Sequence, residues 1–273
     1  MQLLSSVFRF YISASIHVAF AVLALVGISW IEYDLQIPNA LWFFVFFGTI
    51  TGYNFVKYAN IAGLGHRELK DSLQSIQIFS FICFAIVFYL SFRLSLDILL
   101  VLGGFALLTF FYAVPLLRSE NLRSLTSLKV FVVALVWAGV TVIVPIMAAL
   151  IELDIDVLLT CIQRFIIVIV LTIPFEIRDL EFDVASLKTL PQQLGIRRVK
   201  ALGVSLLFIC LILEGFKDEF SAAYALSLVL VTALIAIGLM RSEKRQSKNF
   251  ASFWIEGIPI IWFGLLLFLS KLF

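Results

Sequence analysis

Nine apolar stretches, each long enough to form a helix, alternate with short polar segments along this chain of 273 residues. They fall at about 8–33, 37–59, 73–94, 97–117, 126–150, 155–180, 199–216, 220–240 and 251–271. A helix needs about 20 apolar residues to cross the hydrocarbon core of a bilayer, and each block comes close to supplying them. The runs are continuous rather than short and alternating, which argues against an outer-membrane barrel. Pro38 sits in the first turn of the second block and Gly215 closes the seventh, where helices open and end. Pro145 and Pro259 lie inside the fifth and ninth blocks and predict kinks there. The pattern predicts an all-α, polytopic membrane bundle of nine transmembrane helices. No polar stretch is long enough for a separate soluble unit, so residues 1–273 are expected to form a single membrane-embedded domain.

Composition points the same way. Hydrophobic residues make up 62% of the chain and charged residues 14%, with a mean hydropathy of +1.09. Soluble domains hold about half apolar residues and about a quarter charged ones. The first block follows Arg9, is too long for a signal-peptide core and lacks a small-residue cleavage site, so it is expected to stay as a helix. Cys83, Cys161 and Cys210 sit in separate apolar blocks without a CxxC or a neighbouring His, and read as packing residues.

The net charge of +2 says little about partners, and no nucleic acid is expected. Its distribution says more. Sixteen of the 20 Lys and Arg fall at the N-terminus or after the even-numbered blocks, from Lys57, Arg67 and Lys70 through to Arg241, Lys244, Arg245 and Lys248. The other side holds only Arg93, Lys217 and Lys271, and Arg164 lies within the sixth block. The positive-inside rule then predicts a cytoplasmic N-terminus and an outside C-terminus, in what we expect to be a bacterial cytoplasmic membrane. The longer connections, Asn60–Ser72 and Leu180–Lys200, both fall on the predicted cytoplasmic side, which marks it as the working face.

Candidate chemistry concentrates where the sixth block ends. Glu176, Asp179 and Asp183 stand at i, i+3 and i+7, so on a helix they share one face and require a cation among them. Asp179 and Asp183 are one turn apart, a spacing at which two carboxylates can share a Mg²⁺ with phosphate oxygens. The plainer alternative is that Arg178, Glu181 and the carboxylates cap the helix end, although negative charge is unfavourable there. Among the remaining polar residues, His17 reads as a hydrogen-bonded core histidine and His66 as a solvated loop residue. Arg164 is expected to snorkel outward or to pair internally, with Glu256 a possible partner; Glu256 could instead line a cavity. The 28 Phe suit either lipid-facing packing or an isoprenoid lining.

Asp179-Leu-Glu-Phe-Asp183, followed by Lys188-Thr189-Leu190-Pro191 and Leu194-Gly195, resembles the second acidic motif of the UbiA-type membrane prenyltransferases. Tyr112-Ala-Val-Pro115, Lys129 and Ala134-Leu-Val-Trp137 are similar to that family's Tyr-x-x-Pro, Lys and Ala-x-x-Trp pattern. The resemblance implies a UbiA-like fold and transfer of an isoprenoid chain from a polyprenyl diphosphate to an aromatic or lipophilic acceptor. It implies Mg²⁺ on Asp179 and Asp183. The resemblance carries Tyr112 and Lys129 over as substrate contacts; Lys57 is a candidate catalytic residue, and Asn54, Tyr58, Arg67, Lys188 and Arg198 are candidate substrate contacts.

One motif departs. Where the family carries Asn-Asp-x-x-Asp-x-x-x-Asp, this chain has Asn54 and then Phe55, Tyr58 and Ala62 at the aspartate positions. Two readings stay open at this point. Lys57 could replace metal charge beside a diphosphate. Alternatively, Lys57 pairs with the acids of the sixth block, and the scaffold binds or transports an isoprenoid or quinone without turnover.

Overall fold

The structure, a computed structural model, describes residues 2–58, 67–113, 128–181 and 189–273. These residues form α1 (Gln2–Ser13), α2 (Ile16–Glu32), α3 (Asn39–Tyr58), α4 (Arg67–Ser91), α5 (Leu96–Ala113), α6 (Leu128–Ala138) and α7 (Val144–Ala148). They continue through α8 (Ile155–Asp179), α9 (Leu190–Leu194), α10 (Ile196–Glu214), α11 (Ala222–Arg241) and α12 (Ile258–Leu269). π-helical turns at Gly139–Ile143 and Phe250–Ile255 precede α7 and α12. No strand occurs among the described residues.

Every predicted block contains helix, and the molecule is an all-α membrane bundle. Among the described residues five helices are long and apolar enough to cross a membrane, six if the bent α1–α2 pair counts as one span. The short apolar helix Leu96–Phe111 falls below that length. Nine crossings thus stay an expectation from the sequence.

Two helices organise the interior. On α2 the buried positions include Val18, Val22, Leu25 and Ile28, a stripe at helical spacing, and α2 packs on α3 and α12. On α8 the stripe runs through Ile166, Val170, Ile173 and Ile177, against α6 and α10. Leaving lipid for a protein interior brings an apolar side chain no hydrophobic gain, so this packing rests on van der Waals contact. Asp154 starts α8, its carboxylate accepting the Val157 N–H at 2.8 Å.

The structure departs from the simple block pattern in two ways. The first block is not one helix: it breaks at Ser15, whose φ of 61° is left-handed, and α1 and α2 meet at 57°. Neither Gly nor Pro marks the break, because side chains of α3 impose it. The prolines of the fifth and ninth blocks each follow a π turn. A proline ring clashes with the carbonyl four residues back, which is Thr141 for Pro145 and Ile255 for Pro259. The wider π turn lies at both of those positions.

One end of the bundle is fastened by a buried ionic cluster. Lys217, on the connection between α10 and α11, bonds Glu32 at 2.6 Å and Glu214 at 2.9 Å, and all three side chains are almost wholly buried. Thr160 donates to Glu32 at 3.0 Å, Gln163 donates to Glu214 at 3.0 Å, and the ammonium lies 4.2 Å from the centroid of the Tyr224 ring. Asp156 accepts the N–H groups of Asp218 and Glu219 at 2.8 and 2.9 Å. Arg164 joins this cluster and neither snorkels nor pairs with Glu256. It is 1% exposed, donates to the Leu25 carbonyl at 2.8 Å, and stacks over Trp262 at 5.1 Å. Arg164 lies fifteen residues, or about 22 Å of helix, from the Asp179 end of α8. At that depth Glu32 is the carboxylate within Coulombic range.

Lys217→Met should therefore leave Glu32 and Glu214 without the ammonium that bridges them. We expect a loss of about 3–5 kcal/mol, the scale of breaking a buried pair from one side, read as a lower thermal midpoint of the protein in detergent micelles. Adding Glu32→Gln should recover part of the loss. An unchanged midpoint for Lys217→Met would show that the cluster does not hold the helices together.

Candidate functional site

At the opposite end, the last two turns of α3 meet the α1–α2 break. Asn54, 3% exposed, uses its whole amide there: it accepts from the Ser15 hydroxyl at 2.8 Å and donates to the Ala14 carbonyl at 3.1 Å and to Ser80 of α4 at 2.8 Å. Lys57 donates to the same Ser15 hydroxyl at 2.9 Å and is otherwise exposed. Tyr58 donates to the Ser13 carbonyl at 2.9 Å. One turn back from Lys57, the Tyr53 hydroxyl receives the Trp137 indole N–H at 2.8 Å, tying α3 to α6. Asn54 and Tyr58 are thus engaged with backbone, whereas Lys57 leaves donors free.

The end of α8 supplies the acids, and each is matched to a cation. Glu176, 2% exposed, lies 3.4 Å from Lys129 of α6. Arg178 makes a forked pair with Asp179, at 2.7 and 3.3 Å, and lies over the Phe175 ring at 5.3 Å. The Asp179 pair is about one-third exposed and therefore readily exchanged for another anion. Lys57 of α3 and Arg178 of α8 lie within Coulombic range of each other. Glu181 meets Arg245 only loosely, at 4.0 Å on the surface.

Local backbone chemistry explains the segment that follows. Thr189 and Gln192 form a capping box, with the Gln192 side chain accepting the Thr189 N–H at 3.0 Å, and Pro191 occupies the first turn of α9. Gly195, with φ 77° and ψ 157°, then separates α9 from α10 in a conformation essentially reserved for glycine. The Thr-Leu-Pro…Gly pattern thus builds one capped turn and a sharp exit.

The π turn before α12 adds a carboxylate that sequence reasoning did not place here. Glu256 is half-buried, its carboxylate has no hydrogen bond or close ion pair among the described residues, and it is within Coulombic range of Lys57 and Arg178. His17 anchors this segment: its Nε2–H donates to the Phe253 carbonyl at 2.9 Å, while Nδ1 accepts from Tyr11 at 2.9 Å. A Cβ at Gly257 would lie 2.7 Å from the Phe253 oxygen and 3.2 Å from His17 Nε2, so only glycine permits this approach. The histidine is a structural one, as its sequence context indicates. Glu256 carried a weak signal, being an ionisable residue inside an apolar block, but its neighbours are far away in sequence.

The predicted residues separate accordingly. Asn54, Lys57 and Tyr58 meet at the helix break, and Asp179 pairs with Arg178. Lys129 joins Glu176. Arg198 is exposed on the first turn of α10. Arg67 opens α4 and Tyr112 lies on α5, and both side chains fall outside the described residues, as do Asp183, Lys188, His66, Ala62 and Pro115. No group of three or more His, Cys, Asp or Glu suited to a metal occurs among the described residues. Cys83, Cys161 and Cys210 are free thiols. A shallow groove of about 600 Å³ lies at the far end, lined by Asp97, Glu152 and apolar residues including Ile98, Met147 and Leu150, away from these cations.

No family model and no curated protein matches this chain by sequence. Solved structures do. A UbiA homologue from Archaeoglobus fulgidus, bound to GPP and Mg²⁺, superposes with a TM-score of 0.64 at 12% identity, over 96% of this chain and 99% of that one. The apo structure of a UbiA homologue from Aeropyrum pernix gives a TM-score of 0.65 at 16% identity, over 93% and 98%. A structure of digeranylgeranylglyceryl phosphate synthase gives 0.58 at 16% identity, over 100% and 98%. With the helix order, the α1–α2 break and the converging basic ends now described, this likeness over nearly the whole length is decisive for architecture. The chain has the fold of the UbiA-type membrane prenyltransferases.

Proposed function

We propose that this protein is a membrane prenyltransferase-like enzyme, a single membrane-embedded domain that moves an isoprenoid chain from a polyprenyl diphosphate to a lipophilic acceptor. The observation that carries this reading is Lys57 within Coulombic range of Arg178, itself paired with the part-exposed Asp179, at one end of a fold whose solved examples include one bound to GPP and Mg²⁺. Breaking the allylic C–O bond releases diphosphate, and the charge gathering on its oxygens is what a pair of cations stabilises. Lys57 supplies an ammonium where the family resemblance leads one to expect carboxylates, and Arg178 supplies a planar fork suited to phosphate. Exchange of Asp179 for phosphate by Arg178 would free that carboxylate.

A Mg²⁺ would be held by Asp179 and Asp183. The exposed Asp179 carboxylate is a hard oxygen donor of the kind that suits such an ion when phosphate oxygens and water complete the shell. When bound, the ion neutralises diphosphate charge. Arg67, Lys188 and Arg198 are proposed as further phosphate contacts, with Asn54, Tyr58, Tyr112 and Lys129 shaping the site around them. A second reading, isoprenoid or quinone binding without turnover, is favoured by the full engagement of Asn54 in packing and by Phe55, Tyr58 and Ala62 at the positions of the missing acids.

Two measurements test these proposals. Purified protein should release pyrophosphate from geranylgeranyl diphosphate in a Mg²⁺-dependent way, across a panel of lipophilic acceptors. Asp179→Asn should lower that rate roughly a hundredfold or more, the scale of losing one electrostatic group from an active site. Saturable prenyl diphosphate binding without any pyrophosphate release would favour the non-catalytic reading. For the membrane orientation, the basic ends are proposed to face the cytoplasm of a bacterial cell. The Ser247→Cys variant should then react at that position with an impermeant maleimide in inverted vesicles and not in intact cells; the reverse pattern would invert the topology.

A further inference from the structure

Glu256 has no task in the binding scheme above. A carboxylate inside a membrane-spanning segment is costly unless it is paired or used. Both cations near it are hydrogen-bonded elsewhere, Lys57 to Ser15 and Arg178 to Asp179. The carboxylate therefore keeps open acceptor positions, on a residue that is half-buried rather than sealed. Lys57 of α3, Arg178 of α8 and Tyr11 of α1 are the charged or titratable groups in its Coulombic surroundings, and His17 of α2 abuts the adjacent Gly257.

Its placement is built rather than incidental. It lies six positions on from Phe250, at the C-terminal end of the π turn, within the apolar span Phe250–Leu269. The π turn, of a type often found at functional sites, directly precedes it, with the Glu256 N–H bonded to the Ala251 carbonyl at 3.1 Å. The His17 anchor and the glycine-only approach at Gly257 hold that turn against α2. An anionic diphosphate would be repelled by this carboxylate, whereas a neutral hydroxyl would be attracted to it.

We propose that Glu256 docks the acceptor through a hydroxyl group and takes up its proton, so that the acceptor class is a lipophilic alcohol or phenol. This rests on the prenyl-transfer reading. In the step, the acceptor oxygen forms a C–O bond to the allylic carbon. The bond from that carbon to the diphosphate oxygen breaks, the electron pair leaves with diphosphate, and the hydroxyl proton passes to the Glu256 carboxylate.

The test compares binding of para-heptylphenol and of decanol with that of their methyl ethers, using the full-length protein in lipid nanodiscs. Each hydroxyl compound should bind roughly ten- to a hundredfold more tightly than its ether, the range of one hydrogen bond to a charged group. Glu256→Leu should abolish that preference and Glu256→Gln should reduce it to a few-fold, while Mg²⁺-dependent geranyl diphosphate binding stays within about threefold of wild type. If the Leu variant does not bind geranyl diphosphate and so is misfolded, the Gln variant carries the comparison. The arm with the larger preference separates phenol from alcohol. No hydroxyl preference in the wild type, or a preference unchanged by Glu256→Gln, overturns the proposal. Failure of the wild type to bind geranyl diphosphate while it keeps the hydroxyl preference would instead count against the prenyl-transfer reading.

Discussion

The Ser15 hydroxyl, held between Lys57 at 2.9 Å and the Asn54 amide oxygen at 2.8 Å, sets the arrangement of four helices. A left-handed serine costs roughly 1–2 kcal/mol and persists only where its surroundings determine it. Here Asn54 saturates the loosened backbone at Ala14 and reaches Ser80 on α4 at the same time. The bend lets α1 turn away while α2 continues into the core, and it leaves Lys57 and the His17–Phe253 contact on the same side. Much of the candidate site follows from that bend. Loss of the Asn54 amide would strand polar groups of α2 and α4 in an apolar setting, where an unpaired group is expensive.

The two ends of the bundle treat charge in opposite ways. At the far end Lys217 and Arg164 balance Glu32 and Glu214 in a sealed cluster, which suits rigidity. At the basic end Lys57 is exposed, the Arg178–Asp179 pair is partly open, and Glu256 has no close partner. Exposed pairs add little to stability and exchange readily, a property a binding site needs and a structural lock must avoid. Fastening one end therefore permits the other to keep unspent electrostatic capacity.

Residues of the sixth apolar block show how far reading from sequence reached. The shared face of Glu176 and Asp179 was visible from spacing alone, as was the need for a cation, which the structure supplies as Lys129 and Arg178. Arg178 was legible only as a cap, since an adjacent residue on a helix usually points elsewhere. Arg164 was legible as an anomaly, but its partners Leu25, Ser29 and Glu32 lie more than 130 positions away in the chain. Glu256 carried the same kind of signal and was equally without an address.

By itself the sequence determined the solvent and the element type: apolar blocks of bilayer length must be helices, because lipid leaves backbone groups no partner outside the segment. It also determined how charge is distributed along the chain and the local geometry at Thr189–Gly195, where capping and a glycine-only backbone act within a few residues. The bend at Ser15, the separation of the ionic groups into a sealed cluster and an open one, and the meeting of Lys57, Arg178 and Glu256 were decided only by tertiary structure. Each depends on side chains that bridge helices remote in sequence, and no periodicity along one strand of chain encodes which distant carbonyl or carboxylate will stand opposite.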